Sequence, residues 1–244
     1  MLQTQALAGE RGDRRLFQGL DLVLAPGSVT WLRGRNGRGK TTLLRLLAGL
    51  SNPAEGQILI QGQPQKGLED EGRSQWAYIG HQNALKDDLT ATEALRFLAR
   101  LHRLPHDAAA LKLALQRLGL GPARLQHAPV RTLSQGQRRR VALARLALSA
   151  TAPVWLLDEP FDALDIDGIK ALNAVISEHA QSGGCVLLTS HQAISIESPE
   201  PTVLDLEIFA PPSRARGLSA DAARHATGPS SQIPQNTQNT EGPQ

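Results

Sequence analysis

Hydrophobic positions change their period along this chain. In the first third, short apolar runs sit between polar and Pro-Gly turns, and "LQTQAL", "LDLVLA" and "SVTWLRG" predict three strands. A glycine-rich turn then opens "GKTTLLRLLAGL", whose apolar spacing predicts a helix closed by Gly49 and "SNP". "GQILIQG" and "WAYIGHQ" predict two more strands. Residues 91–118 carry helical periodicity broken at Pro105, and a further helix is expected to begin near Ser134. "APVWLLDEP" and "CVLLTSH" are continuous apolar runs, the pattern of strands buried on both faces. Between them, "IDGIKALNAVISEHA" predicts a helix. Strands alternating with helices argue for an α/β core with a mostly parallel sheet. The helical stretch from about 84 to 150 is expected as a subdomain inserted into that core. From about 210 the chain turns to Pro, Ser, Gln and Asn, too poor in large apolar residues to bury a core. The expected division is therefore a folded part, 1–209, and a disordered tail, 210–244.

Composition adds limits. The chain has 244 residues, 41% hydrophobic and 20% charged, enough for one large core or two small ones. Aromatics are only 3%, so aliphatic side chains must carry the packing. A net charge of +3 does not describe a nucleic-acid binder, which needs a concentrated basic face and, for single strands, aromatic platforms. The one cysteine, Cys185, lies within an apolar run and is expected as a small buried hydrophobe, in a reducing compartment. No apolar run reaches the ~18–20 residues of a membrane span. The opening segment has no apolar stretch of signal-peptide type. A cytoplasmic protein is expected, held at a membrane only by something else.

"GRNGRGKTT" fits G-x-x-x-x-G-K-[ST], after an expected strand and before an expected helix. Gly34, Arg35, Asn36, Gly37, Arg38 and Gly39 would let backbone N–H groups curl around phosphates. Lys40 would reach the β- and γ-phosphates. Thr41 would bind Mg²⁺, and Thr42 follows in the first turn. "VWLLDE" ends a buried strand on Asp158, suited to Mg²⁺, and Glu159, placed to take a proton from an attacking water.

"TLSQGQRRRVALARLAL" sets three arginines at the start of a helical run. Leu133, Ser134, Gly136 and Gln137 match the LSGGQ signature of the ABC ATPase superfamily, with Gln135 in place of its first glycine. The resemblance implies a P-loop NTPase ABC core with an N-terminal antiparallel β-subdomain and an inserted helical subdomain. It implies that Ser134, Gly136 and Gln137 bind the γ-phosphate of an ATP held by a partner subunit. A small hydroxyl at a helix N-terminus suits an anion. Arg138, Arg139 and Arg140 are then expected in structural and surface salt-bridge roles. By the same resemblance Gln82 is the Q-loop glutamine, touching Mg²⁺ and the attacking water; Asp162–Asp165 form the D-loop; and His191 contacts the γ-phosphate. Family members commonly place an aromatic residue on adenine where this chain reads "GERGDRR". Phe17 fits the core better, which leaves Arg11 or Arg14 to stack there.

One P-loop and one signature per chain imply a head-to-tail homodimer with two ATPs between the subunits. Three classes fit such a domain: a transporter motor subunit, a chromosome or repair ATPase, and a translation factor. The second needs a long coiled coil and the third two tandem domains, so the architecture favours the first. "WAYIGHQNALKDDLTATEALRFLARLH" is similar to the corresponding segment of the CcmA family, ATP-binding subunits of cytochrome c maturation, or haem export. That resemblance rests on His81, Gln82, Lys86, Leu89, Thr90, Glu93, Leu95 and Phe97. It implies integral membrane permease subunits on separate chains, a peripheral place on the cytoplasmic face of a bacterial inner membrane, and ATP hydrolysis linked to release of haem-loaded chaperone. No direct haem contact is expected, since His81, His102, His106 and His127 read as surface or structural. Lipoprotein-release and drug-efflux ATPases are the alternative.

Overall fold

The computed structural model describes residues 1–65 and 76–212. Two long strands, β1 (Leu2–Arg11) and β2 (Arg14–Leu24), form an antiparallel hairpin. After β3 (Val29–Arg33) come α1 (Lys40–Leu47), β4 (Glu55–Ile60), β5 (Gln63–Pro64) and β6 (Trp76–Ile79). The helical stretch holds α2 (Ala91–Leu101), α3 (Ala108–Arg117), α4 (Ala123–Gln126) and α5 (Gln135–Leu148). The chain then runs through β7 (Val154–Leu157), α6 (Ile166–Gln181), β8 (Cys185–Thr189) and β9 (Thr202–Asp205), and a 3-10 turn, Leu206–Phe209, follows β9. Residues 1–211 cluster as one unit. The tail expected beyond 210 lies, from 213 on, outside the described residues.

Two sheets result. One is antiparallel, in the order β2-β1-β4-β5; the other is parallel, in the order β6-β7-β8-β3-β9. The run "VWLL" shows why a fully buried strand reads as unbroken hydrophobicity. Trp155 and Leu157 face the core built with α2, α3, α5 and α6, while Val154 and Leu156 face the core built with α1 and the antiparallel sheet. β8 repeats the pattern, with Val186 and Leu188 on one side and Cys185 and Leu187 on the other. Cys185 is a buried thiol, as expected, and burial pushes its pKa up to about 11. Phe17 is fully buried. Among the described residues no helix is long and apolar enough to cross a membrane.

Helix starts differ in one respect that matters for the site. Thr90 and Ser134 open α2 and α5 with reciprocal capping boxes, and Asp107 and Asp165 cap α3 and α6. The start of α1 has no side-chain cap; its N-cap is Gly39, at φ 110°. The first N–H groups of α1 therefore remain available to an outside acceptor.

Candidate functional site

Parallel sheets present ligands at the carboxyl ends of their strands. Here those ends carry 34–39 after β3, 80–83 after β6, Asp158 and Glu159 after β7, and Ser190–His191 after β8. Between them opens a cleft of about 280 Å³. Of the expected phosphate residues, Arg35, Asn36, Gly37, Gly39, Lys40, Thr41 and Thr42 line it, joined by Asp158, Glu159 and His191. Gly39 must be glycine, since at its positive φ a Cβ would meet Leu16 Cβ at 3.0 Å.

Gly34 and Arg38 do not line the cleft. They face the turn after β9, where a Cβ on Gly34 would lie 3.4 Å from Leu206 Cβ and Arg38 Nε lies 3.3 Å from Glu207 Oε2. The other Glu207 oxygen accepts the Arg35 N–H at 2.9 Å. Glu207 thus braces the outer side of the loop. Sequence reasoning missed it, and no local pattern could have paired residues so far apart.

Beneath the loop, Lys40 Nζ donates to the Gly34 carbonyl at 2.7 Å. Thr41 Oγ1 donates to Asp158 Oδ2 at 2.8 Å, and Thr189 Oγ1 donates to Asp158 Oδ1 at 3.0 Å. The Thr41 hydroxyl and the Asp158 carboxylate are adjacent hard oxygen donors, a set that fits Mg²⁺ sharing its shell with phosphate and water. Among the described residues no cluster of three or more His, Cys, Asp or Glu could hold a metal unaided.

Glu159 stands at φ 47°, in the left-handed region unusual for a non-glycine residue. Thr189 Oγ1 accepts its N–H at 2.8 Å. Its carboxylate accepts the His191 backbone N–H at 3.0 Å and lies 3.4 Å from His191 Nε2. Burial pushes its pKa up, and the nearby Asp162 adds to this; His191 and Lys40 pull the other way.

Gln82 lies in a neighbouring cleft of about 620 Å³ that shares Thr41, His81 and Asp158 with the first. His81 is a surface residue, as expected, but of the cleft: its Nδ1 is 3.5 Å from Asp162 Oδ2. Arg11 reaches the cleft and Arg14 is not among its lining residues. Ser134, Gly136 and Gln137 line neither cleft. Ser134 Oγ accepts the Gln137 N–H at 3.2 Å, and Gln137 Oε1 accepts the Ser134 N–H at 3.0 Å.

The arginines take the structural and salt-bridge roles expected of them, though one of the three does so in the interior. Arg138 donates to the carbonyls of Leu133 and Arg131, and Arg140 pairs with Asp165. Arg139 is only 3% exposed. It points inward because α5 turns about 100° per residue, placing it on the face of the buried Leu143 and Leu146. That i, i+4, i+7 spacing was the available signal.

The ABC transporter family model matches residues 17–162. The cytochrome c biogenesis ATP-binding export protein CcmA of Aromatoleum aromaticum is 46% identical over 206 residues, covering 84% of this chain and 95% of that protein. The protein of the same name from Escherichia coli K12 is 45% identical over 196 residues, 80% and 91% of the two chains. Among solved structures, a dimeric post-hydrolysis ATP-binding cassette bound to ADP and phosphate shares the fold, with TM-score 0.68 and 24% identity over 79% of this chain and 88% of that one.

Proposed function

The chain belongs to the ABC transporter family and, within it, to the cytochrome c biogenesis ATP-binding export proteins, and from that membership we propose the following mechanism. It is the ATP-hydrolysing subunit of a haem exporter that serves c-type cytochrome assembly. Two copies close head to tail over two ATP molecules and drive permease subunits on other chains. They sit peripherally on the cytoplasmic face of the inner membrane, and hydrolysis is coupled to release of a haem-loaded chaperone.

Arg11 stacks on the base, and the free N–H groups of the loop and of α1 receive the phosphates. Lys40 leaves the Gly34 carbonyl for the β- and γ-phosphate oxygens. Thr41 and Asp158, with Gln82 at the edge, would hold Mg²⁺, which would offset phosphate charge. Glu159 takes a proton from the attacking water as its oxygen bonds the γ-phosphorus and the bond to the bridging oxygen breaks. His191, tied to the Glu159 carboxylate, contacts the γ-phosphate. Ser134, Gly136 and Gln137 reach the γ-phosphate in the partner's cleft.

The observation that carries the hydrolytic reading is the meeting of Lys40, Thr41, Asp158, Glu159 and His191 in one cleft beside an uncapped helix start. The test deletes the gene in its native host and stains membrane proteins for covalently bound haem. Wild type and Glu159→Gln are then returned in parallel. Loss of c-type cytochromes that only wild type restores is the expected result. Unaffected cytochromes would assign the ATPase to another exporter.

A further inference from the structure

Arg139 is a buried cation bound almost wholly to backbone. Nη2 donates to the carbonyls of Asp158 at 3.1 Å and Glu159 at 2.8 Å. Nη1 donates to the Gly80 carbonyl at 3.0 Å and Asn83 Oδ1 at 3.1 Å, with a longer contact to the His81 carbonyl at 3.4 Å. One planar group therefore holds the strand end that carries both catalytic carboxylates and the loop that carries Gln82. The guanidinium itself belongs to the helix that begins at Ser134.

This is an expensive way to fill space. None of its acceptors is a carboxylate oxygen, and its Nε has no partner. Burial pushes its pKa below the usual arginine range, against the opposing pull of Asp162, Asp158 and Glu159. An apolar residue of similar volume would avoid the desolvation cost. A local rule broken this close to reacting groups points to function rather than to packing.

What the cost secures is visible at Glu159. Its φ of 47° is strained, and such a conformation persists only where its surroundings over-determine it. Thr189 fixes the peptide before it through the Glu159 N–H, and Arg139 fixes the peptide after it through the carbonyl. With both peptides held, the direction of the carboxylate is set.

We propose that Arg139 is a positioning residue for hydrolysis: its guanidinium aims Glu159 and makes the signature helix, the Gln82 loop and the β7 end move as one body. This rests on Glu159 as the general base. A motion of α5 toward a partner's nucleotide is thereby passed to the base of the chain's own cleft.

The test uses the full-length chain with Arg139→Lys, which keeps the charge but loses the two-armed reach, and Arg139→Gln, which loses both. Nucleotide affinity, kcat, KM and thermal unfolding are measured for each, alone and combined with Glu159→Gln. The expected result is a kcat lower by about 10²-fold, the scale of a ~1 Å misplacement, with KM and nucleotide affinity unchanged. In the Glu159→Gln background neither substitution should slow the residual rate further. Wild-type kcat in whichever variant folds would overturn the proposal, as would an equal loss in both backgrounds. Full turnover by Glu159→Gln alone would instead remove the general-base assignment on which it stands.

Discussion

His179 sets an acid limit on this fold that can be worked out before it is measured. The ring lies on α6, 7% exposed, and stacks on Trp155 with centroids 3.8 Å apart and planes within 3°. One nitrogen is bonded to the Pro153 carbonyl; Nε2 is buried with no partner. Gly184 closes the pocket so tightly that a Cβ there would lie 2.1 Å from Nε2. Burial pushes the pKa down from 6.5 to about 4, because a second ring proton would have no acceptor and little solvent. The sign follows from the depressed value. The stability that His179 contributes as a neutral ring is fully present above pH 6.5 and is lost as pH falls through that value toward about 4. The depression corresponds to roughly 3 kcal/mol, a large part of a typical ~5–15 kcal/mol total. The perturbation is His179→Phe, which keeps the stack, cannot titrate, and gives up the Pro153 bond at about 1 kcal/mol. Urea midpoints of both proteins, followed by tryptophan fluorescence, should show wild type losing stability relative to the variant between pH 6.5 and about 4. Nearby Glu178, paired with Arg117, is the same in both proteins, so its contribution cancels in the difference. Parallel pH dependences across that window would refute the reasoning.

Two further outcomes follow from the cleft. Glu159 has a pKa raised by burial, so the stabilisation from its protonated form is present below 4.5 and lost as pH rises. Glu159→Gln should therefore unfold at a higher temperature than wild type at neutral pH, the gap closing below pH 4.5, and the acidic limb of wild-type kcat should lie above 4.5. Equal melting temperatures at neutral pH would argue against a desolvated carboxylate there. Gly136→Ala would place a Cβ 2.6 Å from the Ala163 carbonyl oxygen, and relief of that clash should cost about 1–3 kcal/mol. Because Gly136 does not line the chain's own cleft, ATP binding to the single subunit should be unchanged while turnover, which needs the partner's signature, falls; weakened binding by the single subunit would mean the cleft itself had been disturbed.

Legibility in the sequence tracks how local each signal is. The two central strands could be read from "VWLL" and "CVLL" because burial on both faces leaves no polar position. The loop before α1 could be read because its glycines and Lys40 are contiguous. β9 was not anticipated: it is an edge strand with a half-exposed Val203, so "TVLD" shows neither alternation nor a continuous apolar run. The carboxylates could be named from their place at a strand end, but not what holds them. Thr189 is one hydroxyl among many, and its bonds to both Asp158 and Glu159 follow from the register of β7 against β8. Arg138, Arg139 and Arg140 are identical letters, and only the helix turn sends one inward and the other two to separate partners.

The site is built from pieces that face different directions. Lys40, Thr41, Asp158, Glu159 and His191 converge on one cleft, whereas Ser134 and Gln137 satisfy each other elsewhere. Gly136 presses on the D-loop at Ala163, and two residues on Asp165 both caps α6 and pairs with Arg140. Signature helix and D-loop are thus braced at two points, and Arg139, one residue before Arg140, carries the same helix through to Asp158 and Glu159. A helix start pressed against another subunit's phosphate would load these three contacts together. On the proposed mechanism such an arrangement would make Glu159 responsive to the neighbour's nucleotide, as expected where two ATP sites share one dimer interface and hydrolysis must follow closure.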